Sequence, residues 1–284
     1  MSSSTSSDWA LRATERYDSD FLDREELRLI EDFEERGYHI FDIEDRNGLE
    51  RIRRAVANQL SKETGTRFED VSELLNRAGE LVSVADLNSI RLAVFNAMNR
   101  EPWFRPAYYK LARGVLATLV GNELAMQRRI NLSIQLPGDE SSLLPVHSDV
   151  WSGDSAFEVV VWVPLVDCYR TKSMFILPRK LNDEHSKHLA EFRGKDTEEL
   201  FRAIEPDVQW LTVSVGQGVI FTHTLMHGNR RNEEDEARWS MNCRFKSLLS
   251  PYDTKRLGEF FEPITLRAAT RLGMTYTLPE GFER

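Results

Sequence analysis

Leu144-Pro145-Val146-His147-Ser148-Asp149-Val150-Trp151 is the stretch from which the fold and the chemistry of this chain are worked out. It sets a histidine and an aspartate two residues apart at the end of a strand-like segment. Side chains i and i+2 of a strand point to the same side. A neutral imidazole and a carboxylate placed that way can share one divalent metal. His-x-Asp alone fits a solvent-exposed loop as well, so other parts of the chain must supply the rest of a site.

A third ligand is offered 80 residues later by His227, in Phe221-Thr222-His223-Thr224-Leu225-Met226-His227-Gly228-Asn229. The pattern predicts a strand over 219–222 and a turn at Gly228. Two histidines and one carboxylate form the facial triad of non-haem Fe(II) oxygenases. That donor set leaves positions open for a bidentate cosubstrate and for O₂. His223 competes with His227: it is either a ligand or a hydrogen-bonding residue on the strand.

A cosubstrate such as 2-oxoglutarate needs a cation for its far carboxylate. Arg238 opens a predicted strand over 238–248, 11 residues after His227. Alternation puts Arg238, Ser240, Asn242 and Arg244 on one face and Trp239, Met241, Cys243 and Phe245 on the other. An arginine fork suits bidentate carboxylate binding, and Ser240 adds a hydroxyl beside it. The polar face meets water or, in a barrel, lines the interior.

The two halves of the chain differ in pattern. Helical spacing runs over 24–36, closed by Gly37, over 49–60, less regularly over 68–77 and 89–100, and more strongly over 103–120, closed by Gly121. Residues 38–43 alternate as a short strand. After residue 125, strands are predicted over 129–136, 157–166, 173–177, 208–213, 219–222 and 238–248. Residues 183–203 are charged and helical or loop-like, and 255–271 are ambiguous. This order predicts an α+β protein or an all-β barrel with helical decoration. No Pro/Gly/Ser-rich break divides it. The expectation is one domain over 21–284, with a helical part at 21–124, the barrel at 125–250 and an extension at 251–284. A Ser-rich disordered tail is expected at 1–20.

Composition removes several functions. Among 284 residues, 37 Lys+Arg against 46 Asp+Glu give 37 − 46 = −9, a poor match for coating nucleic acid. Two cysteines, Cys168 and Cys243, build neither a disulfide framework nor a Cys-type zinc site. No run approaches the roughly 20 apolar residues of a membrane span, and the start lacks a basic segment followed by an apolar one. The expectation is a cytoplasmic protein acting on a small molecule. Nothing in the pattern specifies an oligomeric state.

On these residues the chain resembles the phytanoyl-CoA dioxygenase-like branch of the Fe(II)/2-oxoglutarate oxygenases. That branch carries His-x-Asp, a distal His followed by Gly, and an Arg eleven residues beyond, matched here by His147, Asp149, His227 with Gly228, and Arg238. Also similar are Phe33-Glu34-Glu35-Arg36-Gly37-Tyr38-His39-Ile40-Phe41-Asp42, Trp162-Val163-Pro164-Leu165 and Ser173-Met174-Phe175-Ile176-Leu177-Pro178, so the likeness covers 24–248. Residues 147–155 and 168–174 resemble oxygenases of bacterial carbohydrate-biosynthesis clusters, the group like the streptomycin-biosynthesis oxygenase. Arg179-Lys180-Leu181 departs from the family's frequent Gly-Ser-His turn.

The resemblance implies a mainly β fold with a helical N-terminal half, a double-stranded β-helix (jelly-roll or cupin-like barrel) flanked by α-helices, with Fe(II) on His147, Asp149 and His227, and 2-oxoglutarate reaching Arg238. Oxidative decarboxylation to succinate and CO₂ would be coupled to oxidation of a C–H bond. Asp149 favours hydroxylation or another oxidation over halogenation, because related halogenases carry a small residue there. The implied substrate is a small polar metabolite, carbohydrate or sugar-derived. The alternatives are a lipid or acyl thioester, or a catalytically silent cupin-like binding protein.

Further residues have a functional and a bland reading. Ser133 and Gln135, with Asn131, bind 2-oxoglutarate if their face is interior, and are solvated otherwise. Trp162 is a wall of the cosubstrate pocket, and Glu158, of the same parity, binds a substrate hydroxyl or amine or pairs with an arginine. Trp151 stacks on a sugar or packs in a core. Arg170 and Lys172 meet an anionic substrate group or form a charged turn, as do Arg230 and Arg231. His185 and His188 are surface residues that form no second metal site. Residues 233–236 are a solvated hairpin tip.

Overall fold

The computed structural model describes residues 21–281. The tail expected over 1–20 lies outside the described residues. Helix α1 (Arg24–Arg36) starts with a capping box: Asp23 accepts from the Glu25 and Glu26 amides, and Glu26 accepts from the Asp23 amide. Gly37 at φ 77° ends it, and the chain turns directly into β1 (Tyr38–Asp42). In α2 (Arg46–Thr64), Leu49, Ile52, Val56 and Leu60 line one buried face. Full burial of each such side chain stabilises by about 1.5–3 kcal/mol. Then follow α3 (Val71–Asn76), α4 (Ala78–Leu81), α5 (Leu87–Arg100), α6 (Phe104–Leu111) and α7 (Arg113–Leu119). The periodicity over 103–120 predicts one helix; Ala112, at φ −131° and ψ 21°, divides it into α6 and α7.

The remaining strands are β2 (Leu124–Gln127), β3 (Asn131–Gln135), β4 (Glu158–Pro164), β5 (Phe175–Ile176), β6 (Gln209–Trp210), β7 (Gln217–Thr222), β8 (His227–Gly228), β9 (Arg238–Ser247) and β10 (Phe261–Pro263). Between β5 and β6 lie α8 (Arg179–Ser186) and α9 (Thr197–Ile204), and α10 (Ala268–Thr275) follows β10. The large sheet has the order β1-β7-β4-β9-β2-β10, with β3 also paired to β9; the small one is β6-β5-β8. All these pairings are antiparallel. The ladders do not close into a barrel among the described residues. The architecture is a mixed helical and two-sheet antiparallel fold.

Every residue of β4 is buried, because helices cover one face of the large sheet and a cavity lined by side chains occupies the other. Tyr108 of α6 ties the helical layer to the sheet, its hydroxyl donating to the Val161 carbonyl at 2.9 Å. On β9, Trp239 donates its indole N–H to the Leu75 carbonyl at 2.9 Å. A smaller apolar cluster of Val146, Phe175, Leu177, Phe201, Ile204 and Met226 backs the small sheet. The strands predicted over 173–177 and 208–213 shorten to two residues each. β2 was not legible, since Leu124–Gln127 is buried throughout and shows no alternation. The charged stretch 183–203 holds α9, whose Leu200, Phe201 and Ile204 are buried.

Candidate metal centre and cosubstrate cavity

The two histidines come together through backbone pairing. The His147 amide donates to the His227 carbonyl at 3.1 Å, and the His227 amide donates back at 2.9 Å. Gly228 permits this approach: a Cβ there would fall 2.6 Å from the Leu144 carbonyl oxygen. Asn229 secures the same loop, its amide donating to the Leu144 carbonyl at 2.9 Å and its side chain to the Ser142 carbonyl at 3.2 Å. Asp149 does not share a strand with His147, as its spacing suggests. It opens a 3₁₀ turn, Asp149–Ser152, and the Ser148 hydroxyl fixes that turn by donating to the His223 carbonyl.

Backbone carbonyls set both imidazole tautomers. His147 Nδ1 is 2.9 Å from the Pro145 oxygen, and His227 Nδ1 is 3.0 Å from the Leu225 oxygen. A carbonyl only accepts, so each Nδ1 carries the proton and each Nε2 presents a lone pair inward. Both Nε2 atoms are 4.0 Å from an Asp149 oxygen, and the three ligand atoms lie within 4.8 Å of one another. Burial lowers the His227 pKa to about 4. Burial alone would raise Asp149; the charges of His227, His223, Arg244 and His147 outweigh it and lower it to about 2. At neutral pH His227 and His223 are uncharged, so the cation standing beside Asp149 is Arg244, whose Nη2 donates to Oδ1 at 2.9 Å. A carboxylate and a neutral imidazole are the forms that bind a metal. The donor set fits a divalent ion of the Fe(II) class.

These residues open on a cavity of about 350 Å³. Its large-sheet wall carries Asn131, Ser133, Val160, Trp162, Arg238, Ser240, Asn242 and Arg244; Met174, Gly228 and residues 141–144 face them. The alternation of β9 thus turns its four polar residues into the cavity while Trp239, Met241, Cys243 and Phe245 enter the core. Arg238 is only 4% exposed. Its guanidinium donates to the Ser173 carbonyl at 3.1 Å and to the Ser133 hydroxyl at 3.0 Å, and no carboxylate pairs with it among the described residues. Its Nε and the neighbouring Ser240 hydroxyl have no hydrogen-bond partner. Burial lowers its pKa only to about 10, so it stays cationic.

Several expected contacts fall elsewhere. Gln135 does not line the cavity: it is fully buried, its amide donating to the Arg230 carbonyl at 2.6 Å. Glu158 is buried outside the cavity lining, where it accepts from the Ser155 amide. Trp151 is 48% exposed and outside the lining. Lys172 is buried on Glu236, at 2.6 Å, and Asn76, at 2.9 Å. Arg170 points outward, 4.0 Å from Glu234. The acidic run at 233–236 is therefore the partner of the 170–172 turn, not a free hairpin tip. Arg230 pairs with Glu198 and Arg231 with Glu140.

The sequence did not single out Arg91 of α5 or Asp154. Arg91 lines the cavity from a helix with no motif to mark it. Asp154 belongs to a buried cluster with Glu158 and His223 behind Asp149. Burial pushes His223 down to about 3. Burial and the Asp154 charge hold Glu158 up at about 7, against the Ser155 amide.

No protein-family model matches the chain, and no curated protein is similar to it in sequence. Solved structures are similar in fold. The apo form of the non-heme monooxygenase ThoJ superposes with a TM-score of 0.52 at 16% identity, over 78% of this chain and 79% of its own. The non-heme alpha ketoglutarate dependent carbocyclase SnoK from nogalamycin biosynthesis gives 0.51 at 19% identity, over 87% and 98%. AviO1 from Streptomyces viridochromogenes Tue57 gives 0.50 at 15% identity, over 82% and 98%. The chain shares its fold with these three proteins, two of them non-heme enzymes.

Proposed function

We propose that the protein is an Fe(II)- and 2-oxoglutarate-dependent oxygenase built on a jelly-roll core. The observation that carries this is Arg238: a buried guanidinium without a counter-ion, opening on the same cavity as His147, Asp149 and His227. An uncompensated buried charge is costly. It is explained by an anionic ligand that arrives with its own carboxylate. The Ser240 hydroxyl and Arg238 Nε are free to meet that carboxylate, while Ser133 and the Ser173 carbonyl hold the guanidinium in place. His147, Asp149 and His227 would hold the metal. Bound Fe(II), with 2-oxoglutarate and O₂, supplies the oxidising power for a C–H bond.

The substrate class we infer is a small polar metabolite, carbohydrate or sugar-derived, in a cytoplasmic setting. The polar lining, with Arg91, Asn131, Ser141, Ser142 and Asn242, supports that reading over an acyl chain. The apolar void beside Phe104 and Met241 is about 10 Å³, too small for a lipid tail. Anaerobic addition of Fe(II) and 2-oxoglutarate should produce the visible charge-transfer band of the chelate. Succinate release is then screened against sugar nucleotides, amino sugars and acyl thioesters. A folded, metal-loaded protein without the band removes the cosubstrate assignment.

A further inference from the structure

Behind the proposed metal centre, outside the cavity lining, a second group of polar side chains is buried. Asp154, Glu158 and His223 are each at most 1% exposed. His223 Nε2 is 3.9 Å from Asp149 Oδ2, and its Nδ1 is 3.6 Å from Glu158 Oε2 and 3.8 Å from Asp154 Oδ1. Neither ring nitrogen, nor Glu158 Oε2, nor Asp154 Oδ1 has a hydrogen-bond partner. Folded interiors leave few polar groups in that condition, and four such atoms, two on one imidazole and two beside it, call for an account.

The group has the donor types of a metal site, its ligand atoms all within 4.8 Å. Its charge argues otherwise. Asp154 already faces Lys255 and Arg244, and Lys246 acts on Glu158. A divalent ion would join three cations in a dry setting, where like charges repel most strongly. One ring nitrogen faces Asp149 and the other faces Glu158 and Asp154, and a neutral imidazole donates from one of them only; a role in positioning Asp149 places that proton on Nε2. Nδ1 then accepts, and the Glu158 carboxyl is placed to donate to it.

We propose that His223 is a positioning residue of the metal centre: its Nε2–H addresses Asp149 Oδ2 and, with Arg244 on Oδ1, fixes the orientation of that carboxylate, while Glu158 fixes His223 from behind. The inference rests on Asp149 being a metal ligand. At 3.9 Å the pair is beyond hydrogen-bond distance, and contact requires the carboxylate to rotate about its broad terminal torsion. Outer partners of this kind are worth about 10–100-fold in metal affinity.

The test is calorimetric titration of the full chain with Ni(II). The wild type binds one ion, and Asp149→Ala abolishes binding. His223→Phe weakens it by about 10–100-fold, with the metal-free melting temperature near that of the wild type. His223→Gln carries an amide N–H toward the place of Nε2 and recovers most of the loss. Glu158→Gln, still a donor, stays near the wild type, whereas Glu158→Leu follows His223→Phe; this pair tests the same link should His223→Phe not fold. Unchanged affinity in His223→Phe and Glu158→Leu overturns the inference. So does a loss that Gln does not rescue, accompanied by lower metal-free melting in both His223 variants, which makes the residue merely structural. Two ions per chain, one lost in Asp154→Asn, replaces the positioning role with a second metal site. Normal Ni(II) binding by Asp149→Ala overturns the metal centre itself and this inference with it.

Discussion

Replacing Arg238 with methionine should move ligand affinity and intrinsic stability in opposite directions. The guanidinium makes two hydrogen bonds to protein, one to the Ser173 carbonyl and one to the Ser133 hydroxyl. Each contributes on the order of 1 kcal/mol net. Against this stands the desolvation of a cation that no carboxylate balances, an effective penalty of several kcal/mol. Methionine fills much of the same volume without the charge, so the ligand-free variant should be at least as stable as the wild type. A charged hydrogen bond to the 2-oxoglutarate carboxylate is worth about 1.5–3 kcal/mol, so its loss weakens binding by about 10- to 160-fold. The assay is thermal unfolding with Ni(II), with and without 2-oxoglutarate. At a ligand concentration of 100 times the wild-type Kd, the wild type gains about 2.7 kcal/mol; a 100-fold weaker variant gains about 0.4 kcal/mol. Lower ligand-free stability combined with an undiminished 2-oxoglutarate shift would refute the reasoning and make Arg238 a structural residue.

Glu236→Ala should lower stability by about 1–3 kcal/mol, because it strips the ion-pair partner from the buried Lys172 ammonium, although Glu236 is itself 42% exposed. The 2-oxoglutarate requirement should not change; a changed requirement with unaltered stability would return Lys172 to the substrate. Gly228→Ala drives a Cβ against the Leu144 carbonyl and should cost about 1–3 kcal/mol while weakening Ni(II) binding, as read by denaturant titration and calorimetry. Undisturbed metal affinity would show that the loop carrying His147 adjusts freely. Burial holds His223 at about 3 and His227 at about 4, below the unfolded value near 6.5. Their contribution is therefore fully present above pH 6.5 and is lost as pH falls, because the unfolded chain takes the protons first. Two protons give a slope of about 2.7 kcal/mol per pH unit between roughly pH 6 and pH 4 in the metal-free chain. His223→Gln should halve that slope in urea unfolding series, and an unchanged slope would show that His223 is not buried neutral.

Legibility followed the range of the interaction. The Gly37 stop and the alternation of β9 are local, and each appears in the structure where the pattern sets it. Parity went less far. Glu158 and Trp162 share a face of β4, yet Trp162 lines the cavity and Glu158 is buried outside its lining, since the chain entering the strand decides what covers its start. The charges of Arg170 and Lys172 suggested a ligand, and their partners Glu234 and Glu236 are more than sixty residues away. Alternation placed Gln135 with Ser133, but the Arg230 carbonyl takes its amide and draws it out of the cavity.

The sequence by itself offered a candidate donor set and a candidate cation: His147, Asp149, His227 with His223 as its competitor, and Arg238, because coordination and carboxylate binding demand those side chains, in an order and spacing that strands and turns can deliver. Tertiary structure alone decided which nitrogen of each histidine faces inward, since carbonyls of Pro145 and Leu225 fix the tautomers. It also decided that Arg238 is buried without a counter-ion, and that His223 stands behind Asp149 rather than beside His227 in the ligand set. These are matters of dielectric and of contacts between residues far apart in the chain. No spacing rule carries them, because burial and charge compensation exist only once the sheets and helices have packed.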